Sequence, residues 1–497
     1  MDTSVTTGTA DTTSRSGRQE MDDVSVDLAI IGSGAAAFAA AIRASGRGLS
    51  VAMIERGTLG GTCVNTGCIP SKALIAAADA RHVAMDAGRF PGIAAAAGPA
   101  DLRALVGGTQ SLVETMRTEK YADVAEAYGW TMLTGEAAFT GTPEVPWLRV
   151  SAPDGRGVRV EARHYLVATG SAPWMPPIEG LTDVDPLTST TAMALEEVPA
   201  SLLVLGGGYV ALELAQLFAR LGSRVTMLVR SRLLSHEDRE VSRTLEGVFA
   251  DEGIRVVRRA EVTAFGRVEA TGEAVATVTV RGEREEFRAE RVLVATGRRP
   301  VTDGLGLAGV GVDTGPTGQI AVTDDLATAN PRIWAAGDVT AHPEFVYVAA
   351  YHGAMVVDNA FGDARRTVDY NTLPRVTFTD PAVGAVGLTE KQVVAAGHRC
   401  HCAVLPLAYV PRAVVNRDTR GFIKINADAD TGRILGITAV AKDAGELAAA
   451  GVHILEANLG IEDVAHRWAP YLTMAEGLKI ACQAFTTDVS MLSCCAT

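Results

Sequence analysis

Val24-Ser25-Val26-Asp27-Leu28-Ala29-Ile30-Ile31-Gly32-Ser33-Gly34-Ala35-Ala36-Ala37 runs from a β-rich segment through a glycine turn into small, helix-favouring residues that reach about Ser45. Strand, G-x-G-x-x-A turn and helix stand in the order a dinucleotide-binding unit needs. Gly32 permits the tight turn, Gly34 lets the backbone approach a pyrophosphate, and the small Ala37 lets helix and strand pack closely. Glu55 closes the next strand (51–54), 21 residues after Gly34, where a carboxylate binds a ribose 2′-hydroxyl.

The pattern recurs. Ser201–Leu205 reads as a strand, Gly206-Gly207-Gly208-Tyr209-Val210-Ala211 as the turn, 212–221 as a helix and 225–229 as the following strand. Gly206, Gly208 and Ala211 take the three turn positions. The second strand ends in Val229 instead of an acid, and Arg230 and Arg232 follow. Loss of the carboxylate beside two cations favours a 2′-phosphate, hence NADPH over NADH. The competing reading makes both arginines solvated loop charges. Two dinucleotide sites in one chain imply one nucleotide that stays and one that visits.

Between these units lies 60–72, GGTCVNTGCIPSK, with Cys63 and Cys68 five residues apart ahead of an Ala-rich helical run at 73–80. Cysteines spaced C-x₄-C at a helix start lie close enough to cycle between disulfide and dithiol. The helix N-terminus would lower a thiol pKa. The plainer reading is two buried free cysteines.

The chain has 497 residues, 47% hydrophobic and 21% charged, with a net charge of −13. Length alone suggests about three domains. The acidic balance gives no electrostatic case for nucleic acid or an anionic membrane, and no apolar run is long enough to span a bilayer. Residues 1–23 are rich in Thr, Ser and Asp and predict a disordered tail, without the basic and apolar segments of a secretory signal. Seven cysteines, an odd number, do not make a secreted disulfide framework, so a reducing cytoplasm fits best.

Val167-Ala168-Thr169-Gly170-Ser171-Ala172-Pro173 and Val294-Ala295-Thr296-Gly297-Arg298-Arg299-Pro300 echo each other around the second nucleotide unit and read as crossings between domains. A strand at 333–337 ends in Asp338. From about Pro374, alternating strands and then helical stretches at 444–459 and 474–485 predict a separate α+β domain.

Together these signatures resemble the FAD-dependent pyridine nucleotide–disulfide oxidoreductases over about residues 24–497. The resemblance implies an α/β fold with two Rossmann-like dinucleotide-binding domains, the NADPH domain inserted in the FAD domain, and a C-terminal α+β dimerisation domain. The implied boundaries are 24–175 and 300–373 for the FAD domain, 176–299 for the NAD(P)H domain and 374–497 for dimerisation. It implies that Gly32, Gly34, Ala37, Glu55, Thr62, Lys72, Thr169, Gly170 and Asp338 hold FAD, with Asp338 at the ribityl side. It further implies that Cys68 faces the flavin as a thiolate, that Cys63 exchanges with substrate, and that Lys72 pairs with Glu213.

The substrate is decided elsewhere. The chain ends Ser493-Cys494-Cys495-Ala496-Thr497. Adjacent cysteines close only a strained ring, so they hold a disulfide poorly, but two thiolates suit a soft, thiophilic ion. Disulfide reductases of the family carry a His-Pro-Thr-x-Ser-Glu stretch whose His is the acid–base group. Here Tyr471 stands in the His position while Glu476 is retained, and a phenol of pKa about 10 is a poor proton shuttle near pH 7. A leaving organic thiolate needs a proton; a metal ion on two thiolates does not.

These features resemble the branch of the family that reduces mercury(II). In that branch Cys494, Cys495 and Tyr471 act from the other subunit of a homodimer, and Tyr121 (in KYADV) also lines the metal site. The expected reaction passes Hg²⁺, delivered as thiol complexes, from Cys494 and Cys495 to Cys63 and Cys68, where NADPH and FAD reduce it to Hg⁰. The cysteine-free N-terminal tail lacks the separate metal-binding domain of many members. The alternatives are a reductase of organic disulfides or a dihydrolipoamide-type dehydrogenase, and a thiol protein that sequesters soft metals without turnover. Cys400-His401-Cys402 is a further candidate metal site, though it lacks the four ligands of a structural zinc site, and Cys482 reads as core packing.

Overall fold

The computed structural model describes residues 22–363 and 365–493. β1 (Asp22–Ile31), β2 (Val51–Glu55) and β3 (Thr131–Thr134) lie parallel, joined by α1 (Ala35–Ser45) and then by α2 (Gly61–Asn65), α3 (Cys68–Met85) and α4 (Leu102–Arg117). β4 (Glu136–Gly141) and β5 (Pro146–Ser151) form a ribbon leading into β6 (Gly157–Val167), which returns parallel to β1, giving the order β3-β2-β1-β6-β5-β4. Side chains of β1 alternate between faces. Leu28 and Ile30 pack with Phe38 and Ala41 of α1, whereas Ala29 and Ile31 pack with Leu148 and Tyr165. Both faces are covered there, so 28–31 reads as a continuous apolar run.

β1 begins earlier than expected. Asp22 and Asp23, assigned to the tail in the sequence reading, pair with Val158 and Arg159, because β6 is long enough to offer them an edge. The rest of that tail lies outside the described residues.

After β7 (Ser171–Pro173) the chain enters a second parallel sheet, with β8 (Ser201–Leu205), α5 (Tyr209–Leu221), β9 (Arg224–Val229), β10 (Arg255–Arg258) and, after an antiparallel sheet of β11 (Ala260–Arg267), β12 (Ala274–Val280) and β13 (Glu283–Ala289), β14 (Arg291–Val294). The parallel order is β10-β9-β8-β14. β15 (Arg298–Pro300) pairs antiparallel with β7, so the two echoed Thr-Gly turns run side by side where the chain leaves and re-enters the first unit. β16 (Ile333–Ala335) then adds parallel to β6, and α6 (Val346–Phe361) covers that sheet against α1.

The last unit is an antiparallel sheet of β17 (Arg375–Thr377), β18 (Ala382–Gly387), β19 (Cys400–Pro406), β20 (Phe422–Asp428) and β21 (Ile434–Ala441), in the order β17-β18-β21-β20-β19. α7 (Ala444–Glu456) and α8 (Glu476–Gln483) pack on it. Cys482 is buried in this core, and burial pushes its thiol up to about 12, as a packing residue requires. No described helix is long and apolar enough to cross a membrane.

Candidate active site

Parallel strands aim their C-terminal ends at one crevice where the strand order reverses, here between β1 and β6. Gly32 follows β1 with φ +104°, and a Cβ there would stand 2.4 Å from the Ala168 carbonyl oxygen at the end of β6. Only glycine lets the two turns pass. α1 then starts at Gly34 with no side-chain cap and no acid in its first turn, so its N–H groups are left for an anion. α5 repeats the arrangement: a Cβ on Gly206 would stand 2.2 Å from the Ala295 oxygen, and Gly208 caps nothing. Ala37 and Ala211 are fully buried at the helix–strand contacts. Both cradles fit a pyrophosphate.

Around the first cradle, Glu55 accepts from Ser33 Oγ at 2.6 Å and from the Gly57 amide at 2.6 Å, which fixes its carboxylate at the end of β2. Thr169 Oγ1 donates to the Val301 carbonyl at 2.6 Å, holding the turn that presents Gly170. Asp338 follows β16 and accepts from Ser171 Oγ at 2.8 Å, while Arg298 Nε donates to the same hydroxyl at 2.7 Å. One cavity runs from Gly34 past Thr62, Cys63, Cys68 and the Lys72–Glu213 pair to Asp338. Its lining of glycine turns, two sulfurs, the Lys72–Glu213 pair and Asp338 suits FAD.

Cys68 is the first residue of α3 and Cys63 lies on α2, both half-buried in that cavity and both free thiols. They titrate as a pair. The hydrogen bond from the Cys63 thiol, followed by the Lys72 ammonium, pulls Cys68 down to about 6 against the cost of burial. The same bond, with burial, pushes Cys63 up. One sulfur is thus a thiolate and the other its proton donor.

Lys72 Nζ donates to Glu213 Oε2 at 2.7 Å and stands 4.7 Å over the Phe378 ring. Glu213 is buried on α5, and its other oxygen accepts the Phe378 amide at 3.0 Å. Tyr121 approaches from a π-helical turn, Thr118–Ala122, that follows α4. Its ring lies edge-on to Phe38 at 4.7 Å, and burial, then the Cys63 and Cys68 charges, raise its pKa and keep it a phenol.

Tyr471 is half exposed in the C-terminal unit, beside Leu472, whose amide donates to the buried Glu476 carboxylate at 3.2 Å. It is not among the residues lining this chain's own cavity. Cys494 and Cys495 lie outside the described residues.

At the second cradle Arg230 is exposed at the end of β9. Arg232 departs from expectation: its guanidinium donates to the carbonyls of Ser235 and Glu237, both at 2.7 Å, and to Ser242 Oγ at 2.8 Å. Those bonds fold the loop and spend the donors a phosphate would need. Sequence reading also passed over Ser171 and Arg298, which hold Asp338, although Arg298 stood in the echoed Thr-Gly turn. It missed Glu344 in the same cavity, whose carboxyl is raised by burial and the Asp338 charge.

The family model described as pyridine nucleotide-disulphide oxidoreductase matches residues 26–353, and that family's dimerisation domain matches 373–482. The chain is 55% identical to a mercuric reductase of Streptomyces lividans over 95% of its length and 98% of that protein's. It is 45% identical to a mercuric reductase of Lysinibacillus sphaericus, covering 95% and 84% respectively. Among solved structures, a Cu(II) complex of the HOCl-induced flavoprotein disulfide reductase RclA of Escherichia coli superposes with a TM-score of 0.82 at 28% identity, covering 93% of this chain and 99% of that one.

Proposed function

The chain belongs to the pyridine nucleotide-disulphide oxidoreductases, in their mercuric reductase branch, and from that membership we propose that it reduces thiol-bound Hg²⁺ to Hg⁰ with NADPH, through FAD and the Cys63–Cys68 pair. The observation that carries the reading is the thiolate–thiol pair beside an ion-paired lysine, in the wall of the cavity that the first glycine turn also lines. Bound FAD would supply the two-electron transfer from NADPH that no side chain here can perform. Gly32, Gly34, Ala37, Glu55, Thr62, Lys72, Thr169, Gly170 and Asp338 would hold it. Gly206, Gly208, Ala211 and the free guanidinium of Arg230 would hold NADPH, so the cofactor preference rests on one arginine instead of two.

Metal capture is ligand exchange. The Cys68 thiolate displaces one thiolate from a bis-thiol complex of Hg²⁺. Cys63 displaces the second and passes its proton to one of the two departing thiolates. Two cysteine–Hg bonds replace two, and the products are one free thiol and one free thiolate. Lys72 steadies the Cys68 charge before the metal arrives, and Glu213 fixes Lys72. Tyr121 offers its hydroxyl at the cysteine loop.

The terminal Cys494 and Cys495 of the partner subunit would deliver the metal, with that subunit's Tyr471 beside them in a homodimer. A tyrosine suffices there because the departing thiolate that is protonated takes its proton from Cys63, and no other acid has to supply one. A reducing cytoplasm supplies the thiols.

The test is NADPH oxidation by the holoenzyme with Hg²⁺ and excess thiol, against glutathione disulfide and lipoamide. Consumption with Hg²⁺ alone is expected, with volatile mercury released and turnover lost in Cys494→Ala/Cys495→Ala. Turnover of an organic disulfide by a chain lacking its last four residues would overturn the reading.

A further inference from the structure

Cys400 and Cys402 are joined by a disulfide within β19, their Cα atoms 5.9 Å apart. The reaction described above uses neither. β19 is an edge strand, paired only with β20, and both cysteines are partly exposed. Because side chains alternate along a strand, the two sulfurs share one face. His401 takes the other face, where its ring meets Phe485 edge-on at 4.6 Å. The imidazole therefore cannot join the sulfurs around one ion. No group of three or more His, Cys, Asp or Glu among the described residues could hold a metal. What the reduced pair offers is two thiolates and nothing else. That is too little for tetrahedral zinc, and it suits a soft cation content with two sulfurs.

We propose that Cys400 and Cys402 form a second, thiol-gated binding site for a soft, thiophilic cation of the Hg²⁺ kind. As the disulfide the site is closed. Two equivalents of a small monothiol open it: the Cys400–Cys402 bond breaks, the monothiol is oxidised to its own disulfide, and its two protons pass to the cysteines. The dithiol then takes Hg²⁺ from a bis-thiol complex, forming two Hg–S(cysteine) bonds, breaking two and returning two monothiols, with no change of oxidation state. Once the first cysteine has bound, the second competes at high effective concentration, so the pair outlasts two separate thiols. The medium that carries the metal as thiol complexes is the one that opens the site.

Metal retention without NADPH reads this proposal, so it fails or stands apart from the catalytic reading. Wild-type holoenzyme and Cys402→Ser are each treated with glutathione or left untreated, desalted under argon and loaded with excess HgCl₂. Both are then washed in the same iodide buffer, which competes for singly held mercury without reducing the disulfide, and retained mercury is counted per chain. Subtracting one protein from the other cancels every other cysteine. The expected difference is one Hg²⁺ per chain after glutathione and none without it, with Cys400→Ser behaving like Cys402→Ser.

A second reading needs no variant. Iodoacetamide should label both cysteines of the wild-type peptide only after glutathione, and bound Hg²⁺ should block the label. Equal retention in the treated proteins, or a difference of one already present in the untreated pair, would overturn the proposal. So would labelling that Hg²⁺ does not block.

Discussion

At Cys68 a proton is held more weakly than in an ordinary cysteine because the Cys63 thiol donates to the sulfur and the Lys72 ammonium sits nearby. The sign follows directly: the thiolate is present above a pH of about 6 and is lost as pH falls through it. Alkylation at Cys68 in the reduced protein should be half-maximal near that pH, read by peptide mass spectrometry from pH 4 to 9. Cys63→Ala should move the midpoint furthest upward, since it removes the largest contribution, and Lys72→Met should move it less in the same direction. An unmoved midpoint in both variants would refute this account. At the other cradle, Arg230→Glu should raise KM for NADPH about tenfold, roughly the loss of one charge-assisted hydrogen bond, with little effect on KM for NADH. Arg232→Ala should leave that selectivity alone and lower thermal stability, because its donors already fold the loop. Sequence alone could not separate the two arginines. Both are basic residues after the same strand, and only the path of the loop decides which one turns back on its own carbonyls.

Among the elements, the helices that matter were legible at their starts and opaque in their interiors. α1 and α5 announce themselves because glycine, strand and small residues are local signals. The π-helical turn at Thr118–Ala122 has no such signal: one inserted residue shifts the hydrogen bonds without altering composition. Its effect is to set the direction of Tyr121. Deleting Glu119 should restore the α-helical count, swing Tyr121 by about 100°, and cut Hg²⁺ turnover to the level of Tyr121→Ala while leaving thiol-independent NADPH oxidation unchanged. Turnover that survived the deletion but not Tyr121→Ala would show that the turn does not aim the ring. α5 carries a second long-range feature. The buried Arg220 donates to Asp79 on α3, to Glu252 at 2.6 Å and to Asp380 at 2.9 Å. Arg220→Met takes the nearest cation from a buried Glu252, leaving it Gln216 and a more distant Arg420, and should cost about 3 kcal/mol in denaturant unfolding, although the side chain touches no reacting group.

For the whole molecule, the nucleotide units and the C-terminal sheet could be read from repeated patterns, and the pairing of Lys72 with Glu213 could not. The two residues are 141 positions apart, and only the resemblance to a known family suggested their meeting. The Cys400–Cys402 bond was invisible for a related reason: C-x-C spacing is equally compatible with a metal, two thiols or a bridge until the strand fixes both sulfurs on one face. The proposed sharing of the active site between subunits gives a test at this scale. A chain with Cys63→Ala/Cys68→Ala, co-expressed with one carrying Cys494→Ala/Cys495→Ala, forms mixed dimers in which one of two sites is whole if the terminal pair works across the subunits. Purified mixed dimers should then recover about half the wild-type rate, whereas delivery within one chain leaves none.

Glu213 rises from the helix of the nucleotide-visiting unit, grips Lys72 of the first unit with one oxygen and takes the Phe378 amide of the last with the other. Three plates are riveted through a single carboxylate at the point where the chemistry occurs. Swinging any one plate away from the others has to break a bond of that rivet, so a hinge motion in this molecule would be felt first at the lysine beside the sulfurs.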